Sequence, residues 1–148
     1  MDRIVRKTLD NADVAGPDQA RLTVLLADDS PSLLRELRNV LGREFEIVST
    51  VADGRALLEQ YERLRPEVIV TDISMPLMDG FEATAKLHRH GKPKVVFLTV
   101  HEEEAFVEEA RELGAMGYVL KRSRPSVLVD AIRSAHAGRF FLCPELCE

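Results

Sequence analysis

From Leu22 onward the chain alternates between two hydrophobic periods, and that alternation constrains its fold more than any other feature. Short, nearly continuous apolar runs recur as "LTVLLA", "FEIVST", "EVIVTD", "KVVFLTV" and "MGYVLK". Brief β-branched runs of this kind suit parallel strands covered on both faces. Longer stretches of helical spacing lie between them. "SPSLLRELRNVLG" sets Leu33, Leu34, Leu37, Val40 and Leu41 on one stripe, and "DGRALLEQYERL" does the same with Ala56, Leu57, Leu58, Tyr61 and Leu64. Repeated strand–helix units demand right-handed crossovers, and about five of them fit here. The expected fold is α/β, a doubly wound five-stranded parallel sheet with helices on both faces.

The helix ends carry their own punctuation. Ser30 followed by Pro31 reads as an N-cap and a first-turn proline. Asp79-Gly80-Phe81-Glu82 reads as a capping box. Glu102, Glu103 and Glu104 are expected in the first turn of the fourth helix, where acids meet the positive end of the dipole. Pro125 marks the start of the fifth. Gly42, Gly91 and Gly114 fall at or near helix ends.

Bulk properties remove several function classes. The net charge is -5, which argues against a nucleic-acid binder held by electrostatics. No apolar run reaches the roughly 18 residues of a membrane span. The opening "MDRIVRKTLDNADVAGPDQA" has no continuous apolar core of a secretory signal, so the expected compartment is cytoplasmic. Residues 1–20 read as a loosely ordered extension, set off by the Gly and Pro of "VAGPDQ". The two cysteines, Cys143 and Cys147, make neither a disulfide framework nor a zinc site.

The chemistry lies at the strand ends. The first run ends in Asp28-Asp29, the third in Asp72, the fourth in Thr99 and the fifth in Lys121. In a parallel sheet these ends share one edge, where α/β folds of this kind place their sites. Three carboxylates at one edge repel each other unless a cation joins them. Asp28, Asp29 and Asp72 therefore read as a hard-oxygen site for Mg²⁺, which commonly bridges carboxylates to phosphate. Thr99 offers a hydroxyl to a phosphoryl oxygen and Lys121 a point charge. These are parts for phosphoryl transfer, with a carboxylate able to act as nucleophile. A hydrolase built on aspartyl phosphate is disfavoured, because its D-x-D pattern is replaced by adjacent acids. A dinucleotide site is disfavoured because "ADDSPS" has no glycine.

The stretches "LLADDSPSLL", "VIVTDISMPLMDGFEA", "VVFLTVH" and "GYVLK", in that order, resemble a response-regulator receiver domain over about Leu22 to Ala137. The resemblance implies a flavodoxin-like fold with strand order 2-1-3-4-5. It implies that Asp72 accepts a phosphoryl group from a histidine kinase or phosphotransfer protein. It also implies that Asp28 and Asp29 hold Mg²⁺ with Asp72 and the Ser74 backbone carbonyl. By the same resemblance Thr99 is the switch hydroxyl, Tyr118 the switch aromatic that turns inward, and Lys121 the phosphoryl contact. The surface of helix 4, strand 5 and helix 5 would change on phosphorylation, with a homodimer as one outcome. Such a domain assists its own phosphorylation and dephosphorylation and is not a turnover enzyme. Ser74 and His101 stand at positions where the family tunes phosphoryl lifetime. One departure stands out. Many receivers follow the lysine with a cis-proline, but Arg122 follows Lys121 here, which leaves a trans loop or a strained one.

The expected boundaries are a receiver over 21–138 and a tail or linker over 139–148. "VDAIRSAHAGRFFLCPELCE" resembles the end of a NarL/FixJ-type receiver. No basic recognition helix follows within the chain, so direct nucleic-acid binding by it is not expected. A single-domain receiver and the receiver portion of a DNA-binding regulator both remain open, as does a docking module independent of phosphorylation. Phe140, Phe141 and Leu142 could instead pack on the domain's own surface. Val127, Leu128, Val129 and Ile132 on the last helix read either as core or as a partner face.

Overall fold

The computed structural model describes residues 21–147. The expected N-terminal extension therefore lies outside the described residues. Six strands alternate with five helices: β1 Thr23–Ala27, α1 Pro31–Leu41, β2 Glu46–Val51, α2 Gly54–Leu64, β3 Val68–Thr71, α3 Gly80–Leu87, β4 Lys94–Thr99, α4 Glu104–Glu112, β5 Gly117–Leu120, α5 Pro125–His136 and β6 Phe141–Leu142. The strands form one sheet in the order β2-β1-β3-β4-β5-β6, with every neighbouring pair parallel. The expected order 2-1-3-4-5 is present, and one short strand is added beyond β5.

Burial explains the apolar runs. Val24, Leu25, Leu26, Val68, Ile69, Val95, Val96, Phe97 and Val119 are all fully enclosed, because helices cover both faces of the central strands. β2 lies at an edge, and only Val51 of its residues is buried. On α5 the buried side is Leu128, Ala131, Ile132 and Ala135, while Val127 and Val129 pack against the core from its margin. The fold itself thus takes up the apolar surplus of that helix.

The caps follow the sequence with two exceptions. Ser30 Oγ accepts from the Leu33 N–H, Asp53 from Ala56 and Asp79 from Glu82. Only Glu104 of the three consecutive glutamates falls inside the first turn of α4. Glu102 turns away instead and pairs with Arg122, Oε2 to Nε at 3.2 Å. α2 ends on Arg65 in the left-handed region, φ 47°, where a glycine is usual. Its guanidinium offsets part of that strain by stacking 4.9 Å from the Tyr61 ring and donating to the His90 carbonyl.

Backbone bonds tie the carboxyl ends of the strands together. The Asp28 N–H donates to the Val51 carbonyl at 3.0 Å, the Asp72 N–H to Ala27 at 2.9 Å and the Lys121 N–H to Thr99 at 2.8 Å. Each charged residue thus begins its loop still laced to the neighbouring strand. The fold holds these residues at one edge before any side chain contributes.

Candidate functional site

At that edge Asp28 and Asp72 are buried, 2% and 6% exposed, while Asp29 faces solvent. One carboxylate oxygen from each lies within 4.8 Å of the others. Lys121 reaches in from the end of β5. Its Nζ is 2.9 Å from Asp28 Oδ2 and 2.9 Å from Asp72 Oδ2. The contact with Asp72 is a directed hydrogen bond. The approach to Asp28 is an ion pair off the hydrogen-bonding direction, so that buried oxygen has no well-aligned donor.

The remaining carboxylate oxygens are set by backbone. Asp72 Oδ1 accepts from the N–H of Ile73 at 2.7 Å and of Ser74 at 3.4 Å. Asp28 Oδ1 accepts from the Ser30 N–H at 3.0 Å. Burial pushes the Asp28 carboxyl above its ordinary range, against the pull of Lys121 and the Ser30 N–H. Burial also works against the Lys121 ammonium, but its hydrogen bond to Asp72 and its close pairing with both the Asp72 and Asp28 carboxylates outweigh that, and its pKa is raised.

These residues fit a divalent cation. Three carboxyl groups cluster together, two of them on Lys121, the donors are all hard oxygens, and a buried Asp28 oxygen lacks an aligned partner. The Ser74 side chain points elsewhere. Its Oγ lies 3.0 Å from His101 Nε2. The His101 ring stacks on Phe106, with centroids 4.3 Å apart and planes within 11°.

The hydroxyls of Thr99 and Tyr118 both face the His101 backbone. The buried Thr99 hydroxyl oxygen accepts from the His101 N–H at 3.2 Å. The Tyr118 hydroxyl donates to the His101 carbonyl at 2.9 Å. Its ring, fully buried, already lies inside the fold, and burial raises its pKa. Sequence reading brought Thr99 to the edge, but not its hydrogen-bond partner. The loop after Lys121 is trans, since the described residues contain no cis peptide. The Ser123 N–H closes it on the Leu120 carbonyl at 2.9 Å, a turn that needs no proline.

Two supporting residues escaped the sequence reading. A Cβ on Gly80 would sit 2.2 Å from the Asp72 carbonyl oxygen, and one on Gly54 2.3 Å from that of Met78. Gly80 was legible only as part of a cap. Its spacing eight residues beyond Asp72 was the available signal that the α3 start packs directly on the acid's backbone.

Fold and site together define a class: a doubly wound parallel domain with an acid-and-lysine site at the carboxyl edge of its sheet. The chain belongs to the response regulator receiver domain family, whose model matches residues 24–133. It is 30% identical over 132 residues to the transcriptional regulatory protein DegU of Brevibacillus brevis, covering 87% of this chain and 56% of that protein. It is 33% identical over 129 residues to the transcriptional regulatory protein LnrK of Bacillus subtilis, covering 84% and 58%. A crystal structure of a LuxR-family two-component response regulator from Aurantimonas sp. SI85-9A1 superposes with a TM-score of 0.82 at 32% identity, covering 86% of this chain and 93% of that one. The chain thus spans a little over half the length of these curated relatives. Receiver domains of this kind are signalling modules of two-component systems. No helix among the described residues is long and apolar enough to cross a membrane.

Proposed function

We propose that the chain is a phosphorylation-controlled switch in which Asp72 accepts a phosphoryl group from a histidine kinase or phosphotransfer protein. One observation carries this reading: Lys121 Nζ bridges the buried oxygens of Asp28 and Asp72, at 2.9 Å from each, at the edge where three strands end. An ammonium in that place neutralises charge on a group attached to either neighbour.

Asp28, Asp29, Asp72 and the Ser74 backbone carbonyl would hold Mg²⁺. When bound, that ion supplies charge neutralisation and orientation for the phosphoryl oxygens. The chain's own residues do the rest. The Ile73 and Ser74 N–H groups hold Asp72 Oδ1, orienting the carboxylate for attack on phosphorus. The new bond joins an Asp72 oxygen to phosphorus. The bond from phosphorus to the donor's imidazole nitrogen breaks, or, with acetyl phosphate, the bond to acetate's oxygen. Lys121 then contacts a phosphoryl oxygen. Thr99 exchanges its bond with the His101 N–H for one donated to the phosphoryl group.

Ser74 and His101, joined by their hydrogen bond, set how long the phosphoryl group survives. Because the relatives are named as transcriptional regulators and are longer, the chain is read as the receiver portion of such a regulator. Its α4–β5–α5 surface, or a homodimer built there, would carry the output.

The test is intact mass after incubation with acetyl phosphate and Mg²⁺. One phosphoryl group is expected on the wild-type chain, and none on Asp72→Asn or in chelator. A wild-type chain that gains nothing from acetyl phosphate or from a kinase would reduce the site to a docking surface.

A further inference from the structure

β6 and the turn after it make up a segment, 139–147, that the receiver chemistry above does not use. The ladder that holds it is short. The Phe141 N–H donates to the Met116 carbonyl at 3.0 Å, and the Cys143 N–H to the Tyr118 carbonyl at 3.1 Å. Two residues pair with β5, against four to six in each of the other strands. Phe140, Phe141, Leu142 and Leu146 pack partly buried against the core, and the polar side-chain anchors are few. The Arg111 guanidinium of α4 lies over the Phe140 ring at 4.2 Å, and Ser123 Oγ donates to Glu145 at 2.9 Å. Yet the segment plugs the core, because Cys143 is fully buried.

The position of these anchors matters more than their number. Tyr118 is held at both ends, its carbonyl by Cys143 and its hydroxyl by the His101 carbonyl. Ser123 stands two residues beyond Lys121, whose ammonium is shared between Asp28 and Asp72. Apart from the Arg139 N–H, which donates to the Ser134 carbonyl of α5 at 2.9 Å, the hydrogen bonds that hold the segment to the rest of the fold run to Met116 and Tyr118, at and just before β5, and to Ser123 on the turn that carries Lys121.

We propose that residues 139–147 are a displaceable strap whose hold on β5 is set by the state of Asp72. This rests on the phosphorylation reading above. A phosphoryl group moves the negative oxygens outward from the Asp72 carboxylate, and Lys121 follows them. Ser123 moves with that turn, and Glu145 loses its partner. Thr99 gives up the His101 N–H for the phosphoryl group, which frees the loop that fixes the Tyr118 hydroxyl. Both displacements loosen a strand of two residues before they disturb longer ones. By linkage, loosening the strap favours the phosphorylated state in turn.

Cys143 is the built-in reporter, since the only other thiol, Cys147, is exposed and replaceable. The experiment uses the full chain carrying Cys147→Ser, with acetyl phosphate, Mg²⁺ and a small maleimide. Intact mass counts phosphoryl groups and thiol adducts on the same molecules. Phosphorylated molecules should label at Cys143 at least about tenfold faster than unphosphorylated ones, within the usual span of coupling between sites. Adding Asp72→Asn should abolish the difference. Adding Glu145→Ala should speed labelling without phosphate. Equal labelling of phosphorylated and unphosphorylated molecules would overturn the strap while leaving the phosphoacceptor intact. Absence of any phosphoryl adduct would sink the reading beneath it, and the strap with it.

Discussion

Ser74 and His101 are joined by a hydrogen bond, Oγ to Nε2 at 3.0 Å, although 27 residues separate them in the chain. His101 is held in turn by its stack on Phe106. This contact is expected to limit how water approaches an acyl phosphate on Asp72, two residues before Ser74. Replacing both residues by alanine removes a hydrogen bond worth about 1 kcal/mol, so the dephosphorylation rate should rise about fivefold. Phosphoryl lifetime followed by intact mass checks this, and an unchanged rate in the double variant would end the idea.

Asp28 gives the site a cost that stability measurements should expose. Its carboxyl pKa is raised chiefly by burial, so the fold disfavours its ionised form. A raised acid contributes stability below its unfolded value, about 3.9, and loses it as pH climbs through the folded value. Asp28→Asn keeps the oxygen that accepts from the Ser30 N–H and removes that loss. In chelator at neutral pH the variant should be more stable than the wild type, seen as a higher Tm. The advantage should fade toward pH 4. Added Mg²⁺ should raise the Tm of the wild type more than that of the variant. A variant less stable than wild type in chelator would contradict the assignment.

Lys121 behaves in the opposite sense at the other end of the pH scale. Its pKa is raised because the two carboxylates outweigh burial. Its contribution is therefore full below the unfolded value, about 10.4, and lost as pH rises through the folded one. Lys121→Met should cost about 1–2 kcal/mol at pH 8, since Asp28 and Asp72 are then left facing each other. Urea melts from pH 8 to 11 should show the gap to wild type closing at the alkaline end. A gap that stayed constant across that range would mean the ammonium is not what holds the two acids.

Gly80 tests the link between helix packing and the acid. A Cβ there meets the Asp72 carbonyl oxygen at 2.2 Å, and backbone cannot swing aside as a flexible side chain can. Gly80→Ala should destabilise the domain by about 2 kcal/mol and slow phosphoryl uptake at Asp72. Chemical denaturation and the acetyl phosphate assay read the two effects separately. Full stability would show that α3 can shift away from the β3 end.

Much of this domain was legible in the chain because its strongest signals are local. Apolar runs of four to six residues report strands buried on both faces, and proline, serine and aspartate report where helices start. Strand ends marked by Asp28, Asp72, Thr99 and Lys121 then mark the candidate site, since parallel topology alone brings those ends to one edge. Other features depend on which surfaces meet. Nothing in Phe141–Leu142 announces a strand, because two residues carry no period; the open edge of β5, more than 20 residues earlier, makes it one. Glu102 reads as a helix-dipole acid, yet Arg122 draws it out of the helix. Leu77 takes a left-handed φ of 68° that no leucine favours by itself. The hydroxyls of Thr99 and Tyr118 both turn to His101 because its backbone passes between them. Sequence determined the elements, their order and the charged edge, through short-range periodicity and capping. Tertiary structure decided the sixth strand, the Ser74–His101 contact and the aim of each hydroxyl, because those depend on groups that only folding brings within hydrogen-bonding distance.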